Sequence, residues 1–127
     1  MDQKRILVVD DDIHVLEMLR ISIKAFFPSY QVTLAPDGFA ALGQLRRQKE
    51  TSLFDLILTD YEMPKMTGLD LAQTVQQTWP NTRIVLMSGH ADSDELRRKA
   101  GALSLDAFIK KPFSMHQLQE ALEPNAF

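Results

Sequence analysis

The chain has 127 residues, of which 45% are hydrophobic and 24% charged, and it contains no cysteine, which excludes disulfides, thiolate catalysis and cysteine-based zinc sites. This length predicts a single domain over 1–127, with its core at about 4–122 and a tail or the start of a linker at 123–127. The net charge of −3 argues against a nucleic-acid-binding module, and no apolar stretch reaches the ~18 residues of a membrane span. We therefore expect a cytoplasmic domain that contacts neither nucleic acid nor membrane directly.

Five short apolar segments alternate with longer stretches of helical periodicity. The predicted strands, in chain order, are 6–9, 30–35, 56–58, 83–87 and 107–109. Three of them are almost continuously apolar, as expected for strands that are buried on both faces of a sheet. Strands that alternate with helices are usually parallel and joined by right-handed crossovers. The pattern therefore predicts an α/β fold with helices on both faces of a parallel sheet.

The helices between these strands are predicted from apolar side chains at three- and four-residue spacing. The clearest stripes are Leu16, Leu19, Ile23 and Phe26, then Leu69, Ala72 and Val75, then Met115, Leu118 and Leu122. Asp12 is the predicted N-cap of the first helix, and Ser114 with Gln117 forms a predicted capping box on the last. Asp92 with Glu95 is predicted to cap the fourth helix in the same way.

Polar side chains lie at the carboxyl ends of the predicted strands, where ligands bind in open α/β sheets. They are Asp10 and Asp11, Asp60, Ser88 and Lys111. Carboxylates brought within ~4 Å of one another repel by about 4 kcal/mol per pair at an effective dielectric near 20, unless a cation or a proton lies between them. Mg²⁺ suits such a site because it takes one or two carboxylates, keeps several waters and accepts a phosphate oxygen.

A carboxylate beside Mg²⁺ can attack phosphorus and form an aspartyl phosphate. The added charge then needs cationic and hydrogen-bonding partners. The ammonium of Lys111 and the hydroxyl of Ser88 are available for this, as are the backbone N–H groups of Tyr61 and Gly89.

Taken together and in this order, the motifs resemble those of response-regulator receiver domains of two-component signalling, the chemotaxis regulators among them. The resemblance covers the chain from Lys4 to about Leu122 and is carried by the segments 6–11, 35–42, 55–68, 87–89 and 108–113. It implies a flavodoxin-like doubly wound (βα)5 fold with a five-stranded parallel sheet of order 2-1-3-4-5. That strand order follows from the resemblance and not from the strand pattern.

The resemblance also implies roles for the polar residues at the metal. Asp60 accepts a phosphoryl group from the phosphohistidine of a sensor histidine kinase or a phosphotransfer protein. Asp11, Asp60 and the backbone carbonyl of Glu62 bind Mg²⁺, for which Mn²⁺ can substitute, and Asp10 helps through water. Lys111 pairs with the phosphoryl oxygens.

A switch is implied at Ser88 and Phe108: Ser88 moves to hydrogen-bond the phosphate, and Phe108 turns inward. The face made by the fourth helix, fifth strand and fifth helix then changes shape. It controls a partner or an output domain, or forms a phosphorylation-dependent homodimer. Glu62 and His90 are predicted to set the lifetime of the phosphoryl group. The chain would catalyse its own phosphotransfer and dephosphorylation but is not predicted to turn over external substrates.

Two single positions and one three-residue segment depart from the commonest pattern of the family. Gly89 stands where alanine is more usual, and Phe108 where tyrosine is frequent. Residues 103–105 read Leu-Ser-Leu where Ala-Gly-Ala is usual, which leaves the length of the fourth helix open.

Two other functions are compatible with parts of this pattern. In a haloacid-dehalogenase-like phosphatase, Asp10 and Asp12 would be the nucleophile and acid, but such enzymes prefer Thr or Val where His14 stands. A receiver-like domain that is never phosphorylated would lack an acid, the hydroxyl or the lysine, and all of these are present.

Overall fold

The structure, a computed structural model, describes residues 3–89, 94–103, 105 and 107–123. Strands and helices alternate along the chain as β1 Lys4–Val9, α1 Ile13–Phe26, β2 Tyr30–Ala35, α2 Gly38–Arg47, β3 Leu56–Asp60, α3 Gly68–Thr78, β4 Arg83–Ser88, α4 Asp94–Ala102, β5 Ala107–Lys110 and α5 Met115–Leu122. Each predicted strand is confirmed. The largest differences in bounds are that β1 begins at Lys4 and that β3 extends to Asp60.

The five strands form one parallel sheet of order β2-β1-β3-β4-β5, as the family resemblance implied. The order reverses between β1 and β3, which lie side by side with Val9 opposite Thr59. Asp10 and Asp60 therefore follow paired positions on neighbouring strands. On the other side of β3, Asp60 lies opposite Met87 of β4.

Alternating strand side chains form two apolar clusters, one on each face of the sheet. The first cluster joins the sheet to α1 and α5 and contains Ile6, Val8, Leu58 and Met87. The second joins it to α2 and α3 and contains Leu7, Val9, Ile57 and Ile84. Burial on both faces explains why the sequences of β1, β3 and β4 are almost continuously apolar.

A third and smaller cluster lies beneath α4. Its buried members are Leu69, Leu86, Leu96 and Ala100, and it is flanked by Tyr61, Leu103, Leu105 and Phe108. We call it the α4 cluster. It connects the loop after β3 with β5.

One predicted core residue is wrong. Phe26 is 64% exposed, whereas Phe27 is 5% exposed and packs edge to face on Tyr30 with ring centroids 6.2 Å apart. The physical reason is the end of α1: Phe27 is its C-cap and has left the helical conformation, which directs its ring into the core. Periodicity counted beyond the last turn cannot anticipate this.

The predicted helix caps are confirmed where the structure describes them. The carboxylate of Asp12 accepts from the N–H of His14 at 2.9 Å, and Ser114 with Gln117 makes both bonds of a capping box. The predicted cap at Asp92 lies outside the described residues. A capping box of Thr67 and Asp70 begins α3 and was not predicted, although its spacing is visible in the sequence.

The fourth helix ends at Ala102, and Leu103 and Leu105 pack on the core beyond it. Ser104 lies outside the described residues. Among the helices that the structure describes, none combines the length and apolar composition needed to cross a bilayer.

Candidate functional site

Three carboxylates converge at the carboxyl edge of the sheet, between β1 and β3. One oxygen from each of Asp10, Asp11 and Asp60 lies within 4.8 Å of the others. Asp10 is 1% exposed and Asp60 6%, whereas Asp11 is open to solvent. The strand register explains the convergence, because Asp60 ends β3 and the other two residues directly follow β1.

The ammonium of Lys111 reaches this acid cluster from the end of β5. Its Nζ lies 2.9 Å from Oδ2 of Asp10 and 3.2 Å from Oδ1 of Asp60. The peptide between Lys111 and Pro112 is cis, and the Lys111 N–H donates to the Ser88 carbonyl at 2.9 Å. The neighbouring Lys110 is exposed.

Burial and neighbouring charges shift the pKa values of Asp60 and Lys111. Burial, with the negative charge of Asp10, raises the pKa of the Asp60 carboxyl, although Lys111 opposes the rise. Burial lowers the pKa of the Lys111 ammonium, but the hydrogen bond and charge of Asp10 and the charge of Asp60 outweigh it, and the pKa is raised. Three carboxylates and one ammonium leave the site with excess negative charge.

The donor set of this cluster fits a hard divalent cation. Its ligands are carboxylate oxygens, the atoms that Mg²⁺ prefers. Both oxygens of Asp10 are already engaged, Oδ1 by the N–H of Asp12 at 2.9 Å and Oδ2 by Lys111. Asp60 shares the Lys111 ammonium through Oδ1, but Asp10 accepts from a backbone N–H as well.

The predicted phosphate-binding groups other than Lys111 directly follow Asp60 or lie at the end of the neighbouring strand β4. The side chain of Ser88 is fully buried at the end of β4, beside β3. The N–H of Tyr61 donates to the carbonyl of Met87 at 2.8 Å, so this predicted phosphate ligand is engaged in the sheet. Gly89 is exposed, and a Cβ there would lie 3.8 Å from Oε1 of Glu62, an ordinary contact that alanine would also make.

The predicted switch aromatic is connected to the acid cluster through one residue. Phe108 is partly buried on β5 opposite Leu86 and packs in the α4 cluster. Tyr61, which follows Asp60 directly, packs in the same cluster. His90, a predicted lifetime residue, lies outside the described residues.

Sequence reasoning missed the residues that hold the backbone of Asp60. The hydroxyl of Thr59 donates to the Asp60 carbonyl at 3.0 Å. A Cβ on Gly68 would lie 2.3 Å from that same carbonyl, and the Gly68 N–H donates to the Tyr61 carbonyl at 2.9 Å. The one signal in the sequence was a glycine at the start of α3, and it did not indicate which backbone approaches it.

The loop between β3 and α3 contains a tight turn. The N–H of Met66 donates to the carbonyl of Pro64 at 2.7 Å. Lys65 between them has φ of 70°, an uncommon conformation for a residue other than glycine. Met63 is buried and Met66 packs against the same core.

The placement of Asp12 weighs against the phosphatase alternative. Its Oδ1 accepts from the N–H groups of His14 and Val15, and it is not a member of the acid cluster found among the described residues. A residue committed to capping a helix is poorly placed to donate a proton to a leaving group.

Comparison with known proteins identifies relatives along almost the whole chain. Residues 6–123 match the family described as response regulator receiver domain. The response regulator MprA of Mycobacterium sp. (strain KMS) is 34% identical over 115 residues, covering 90% of this chain and 46% of that protein. The chain thus spans about half the length of this relative.

Solved structures of the same family have the same fold. The chemotaxis response regulator CheY4 of Vibrio cholerae has a TM-score of 0.84 and 27% identity, with 96% of this chain and 98% of that chain covered. The response regulator TrrA of Thermotoga maritima, solved in complex with Mg²⁺ and BeF, has a TM-score of 0.80 and 26% identity, with 95% and 97% covered. The family is one of signalling domains rather than metabolic enzymes. The chain belongs to the response regulator receiver domain family of two-component signalling.

Proposed function

We propose that this chain is a phosphorylation-dependent switch in which the carboxylate of Asp60 accepts a phosphoryl group from the phosphohistidine of a sensor histidine kinase or a phosphotransfer protein. The observation that carries the proposal is the position of Asp60, between two further carboxylates and the ammonium of Lys111. In the reaction an oxygen of Asp60 bonds to phosphorus while the phosphorus–nitrogen bond breaks. Its electron pair returns to the imidazole, which regains a proton from solvent.

Mg²⁺ is the cation that this donor set fits best, with Mn²⁺ as a substitute. When bound, it supplies positive charge between the carboxylates and the phosphoryl oxygens. Asp11 and Asp60 would hold it directly, with the backbone carbonyl of Glu62. Asp10 would act through water, since both of its oxygens already accept hydrogen bonds from this chain.

The remaining site residues would bind the transferred group. The ammonium of Lys111, now shared by Asp10 and Asp60, would turn to a phosphoryl oxygen. The hydroxyl of Ser88 and the N–H of Gly89 would bind the others. A contribution from the N–H of Tyr61 requires its bond to Met87 to open.

Output would follow from the movement of Ser88 and Phe108. Phe108, which packs in the α4 cluster, would turn inward into the space that the movement of Ser88 leaves, and this would change the face formed by α4, β5 and α5. That face would control a partner, an output domain or a homodimer. Residues 1–127 would form one cytoplasmic receiver domain that dephosphorylates itself, at a rate set by Glu62 and His90.

A phosphorylation experiment with a matched control tests the nucleophile. Incubation with acetyl phosphate and Mg²⁺ is expected to add the mass of one phosphoryl group, and peptide mapping is expected to place it on Asp60. Asp60→Asn and removal of the metal should each abolish the addition. Asp12→Asn is the control, because asparagine also caps a helix and the residue lies beside the acid cluster.

Two results would contradict the proposal. Retention of the phosphoryl group in Asp60→Asn would show that another residue is the nucleophile. Loss of labelling in Asp12→Asn, with hydrolysis of a generic phosphate ester by the wild type, would favour the phosphatase alternative.

A further inference from the structure

The C-terminal end of α4 is attached to α3 by a side-chain hydrogen bond. The amide nitrogen of Gln76 on α3 donates to the backbone carbonyl of Leu103, the residue after the end of α4. Both residues are partly buried. Carbonyls at a helix C-terminus have no partner within the helix, and this bond provides one from a neighbouring helix. It therefore fixes the position of the α4 end relative to α3.

Two leucines add apolar contacts at the same point. Leu103 and Leu105 pack both on the core between the sheet, α2 and α3 and on the α4 cluster. Among the residues that the structure describes, they are the two side chains that these clusters share. Gln76, Leu103 and Leu105 together form what we call the α4 anchor.

The α4 anchor adjoins the residues that the proposed switch would move. Phe108 and Tyr61 belong to the same α4 cluster as Leu103 and Leu105. Tyr61 in turn follows Asp60 in sequence. A rearrangement of Phe108 or of the backbone after Asp60 would therefore disturb the packing that holds α4.

In the conformation that contains the α4 anchor, donors that phosphorylated Asp60 would need are already engaged elsewhere. The N–H of Tyr61 donates to the Met87 carbonyl at 2.8 Å. The ammonium of Lys111 pairs with Asp10 at 2.9 Å and with Asp60 at 3.2 Å. These donors would have to turn to phosphoryl oxygens, so the contacts that stabilise this conformation compete with the phosphorylated one.

We propose that the α4 anchor is a brake on activation, which stabilises the conformation present before phosphoryl transfer and sets how strongly a phosphoryl group must act to displace it. This inference rests on the proposed function. A contact that opposes the conformational change also weakens the binding of a phosphoryl group or its analogue, since coupling between two sites is reciprocal. Removing the Gln76 bond should therefore tighten that binding.

The test measures the affinity of beryllofluoride, a phosphoryl analogue, in the presence of Mg²⁺. Gln76→Leu keeps the size of the side chain and removes the donor. Its affinity is expected to be about fivefold higher than that of the wild type, the effect of one ordinary hydrogen bond. Gln77→Leu is the matched control: the same substitution at the next position of α3, where the side chain is exposed, should leave the affinity unchanged.

A second measurement separates a population shift from loss of structure. Without beryllofluoride, the amide resonances of α4 in Gln76→Leu are expected to move toward their positions in the beryllofluoride-bound wild type. Those of Gln77→Leu should not. Leu103→Ala removes an apolar part of the α4 anchor and is expected to act in the same direction, so the test does not depend on one variant.

The outcomes distinguish this inference from the function on which it rests. Wild-type protein that binds beryllofluoride, with equal or weaker binding by Gln76→Leu and Leu103→Ala, would overturn the brake and leave the phosphorylation site intact. Wild-type protein that does not bind, or Asp60→Asn that binds equally well, would overturn the proposed function itself.

Discussion

The strands that carry the acid cluster and the segment that would carry the output differ in burial. The four residues at 6–9 in β1 and all five residues of β3 are buried on both faces of the sheet. In β5, by contrast, three residues are partly buried and Lys110 is exposed. The helix α4 buries only Leu96 and Ala100 among its described side chains.

This difference assigns different physical tasks to the two regions. A site that must hold carboxylates against their mutual repulsion needs a backbone that does not relax, and β1 and β3 provide it. An element that must change conformation is expected to have few buried apolar contacts and a low local stability. The α4 cluster, with its four buried members, meets that description.

The largest effect expected from this comparison is that of Gly68→Ala, and Gly101→Ala is the comparison variant in α4. At Gly68 a Cβ would lie 2.3 Å from the Asp60 carbonyl, so Gly68→Ala is expected to lower the free energy of unfolding by about 3 kcal/mol. At Gly101 in α4 a Cβ meets nothing within 4 Å, and Gly101→Ala should raise it by about 0.5 kcal/mol because alanine favours a helix. Urea unfolding measures both.

The same pair also tests whether Gly68 serves the site. Gly68→Ala is expected to slow labelling of Asp60 by acetyl phosphate, because the clash displaces the backbone of the nucleophile, whereas Gly101→Ala should label at the wild-type rate. A neutral Gly68→Ala would show that the loop after β3 relaxes easily, and the contrast between the two regions would fail.

A smaller effect is expected when α4 alone is weakened. Leu96 is buried beneath α4, and Leu96→Ala should lower the local opening free energy of that helix by about 2 kcal/mol. Native-state hydrogen exchange is expected to show faster exchange of amides in α4. The protection of amides in β1 and β3 should stay unchanged.

Leu58→Ala in β3 is the comparison variant, since it removes the same side chain from the centre of the sheet. It should lower the protection of both regions together. Equal loss of protection throughout the protein in Leu96→Ala would mean that α4 unfolds only with the whole domain, and the proposed separation would be wrong.

Much of the fold and of the acid cluster could be predicted because both depend on local signals. Continuous apolar runs mark strands buried on both faces, and the carboxyl ends of parallel strands meet at one edge, so Asp10, Asp11, Asp60 and Lys111 could be brought together from their positions alone. Capping at Asp12 and Ser114 was likewise predictable from side-chain type and spacing.

The contacts that escaped prediction are those set by packing between distant segments. Phe27 is buried in place of Phe26 because α1 ends between them. The bond from Gln76 to the Leu103 carbonyl joins residues 27 positions apart on elements whose relative placement no local pattern encodes. The close approach of Gly68 to the Asp60 carbonyl has the same origin.

An effect smaller than that of Leu96→Ala is expected from Mg²⁺ and depends on the charge of Asp60. At a Mg²⁺ concentration ten times its Kd, binding to the folded protein should raise the free energy of unfolding by about 1.4 kcal/mol. The gain is expected to shrink in Asp60→Asn, which removes one carboxylate from the cluster. If α4 differs from the site as proposed, hydrogen exchange in α4 should respond to the metal less than exchange in β3.

Without metal, Asp60→Asn is expected to increase the free energy of unfolding at neutral pH, whereas with Mg²⁺ it reduces the stabilisation by the metal. The pKa of the Asp60 carboxyl is raised in the folded protein by burial and by Asp10, so the folded state holds its proton more tightly than the unfolded chain does. The stability contributed by this group is therefore lost as pH rises from its ordinary pKa through the raised value. Asp60→Asn should be more stable than the wild type at neutral pH, and this advantage should vanish at acidic pH. A wild type more stable than Asp60→Asn at neutral pH without metal would show that Lys111 alone compensates the buried acids.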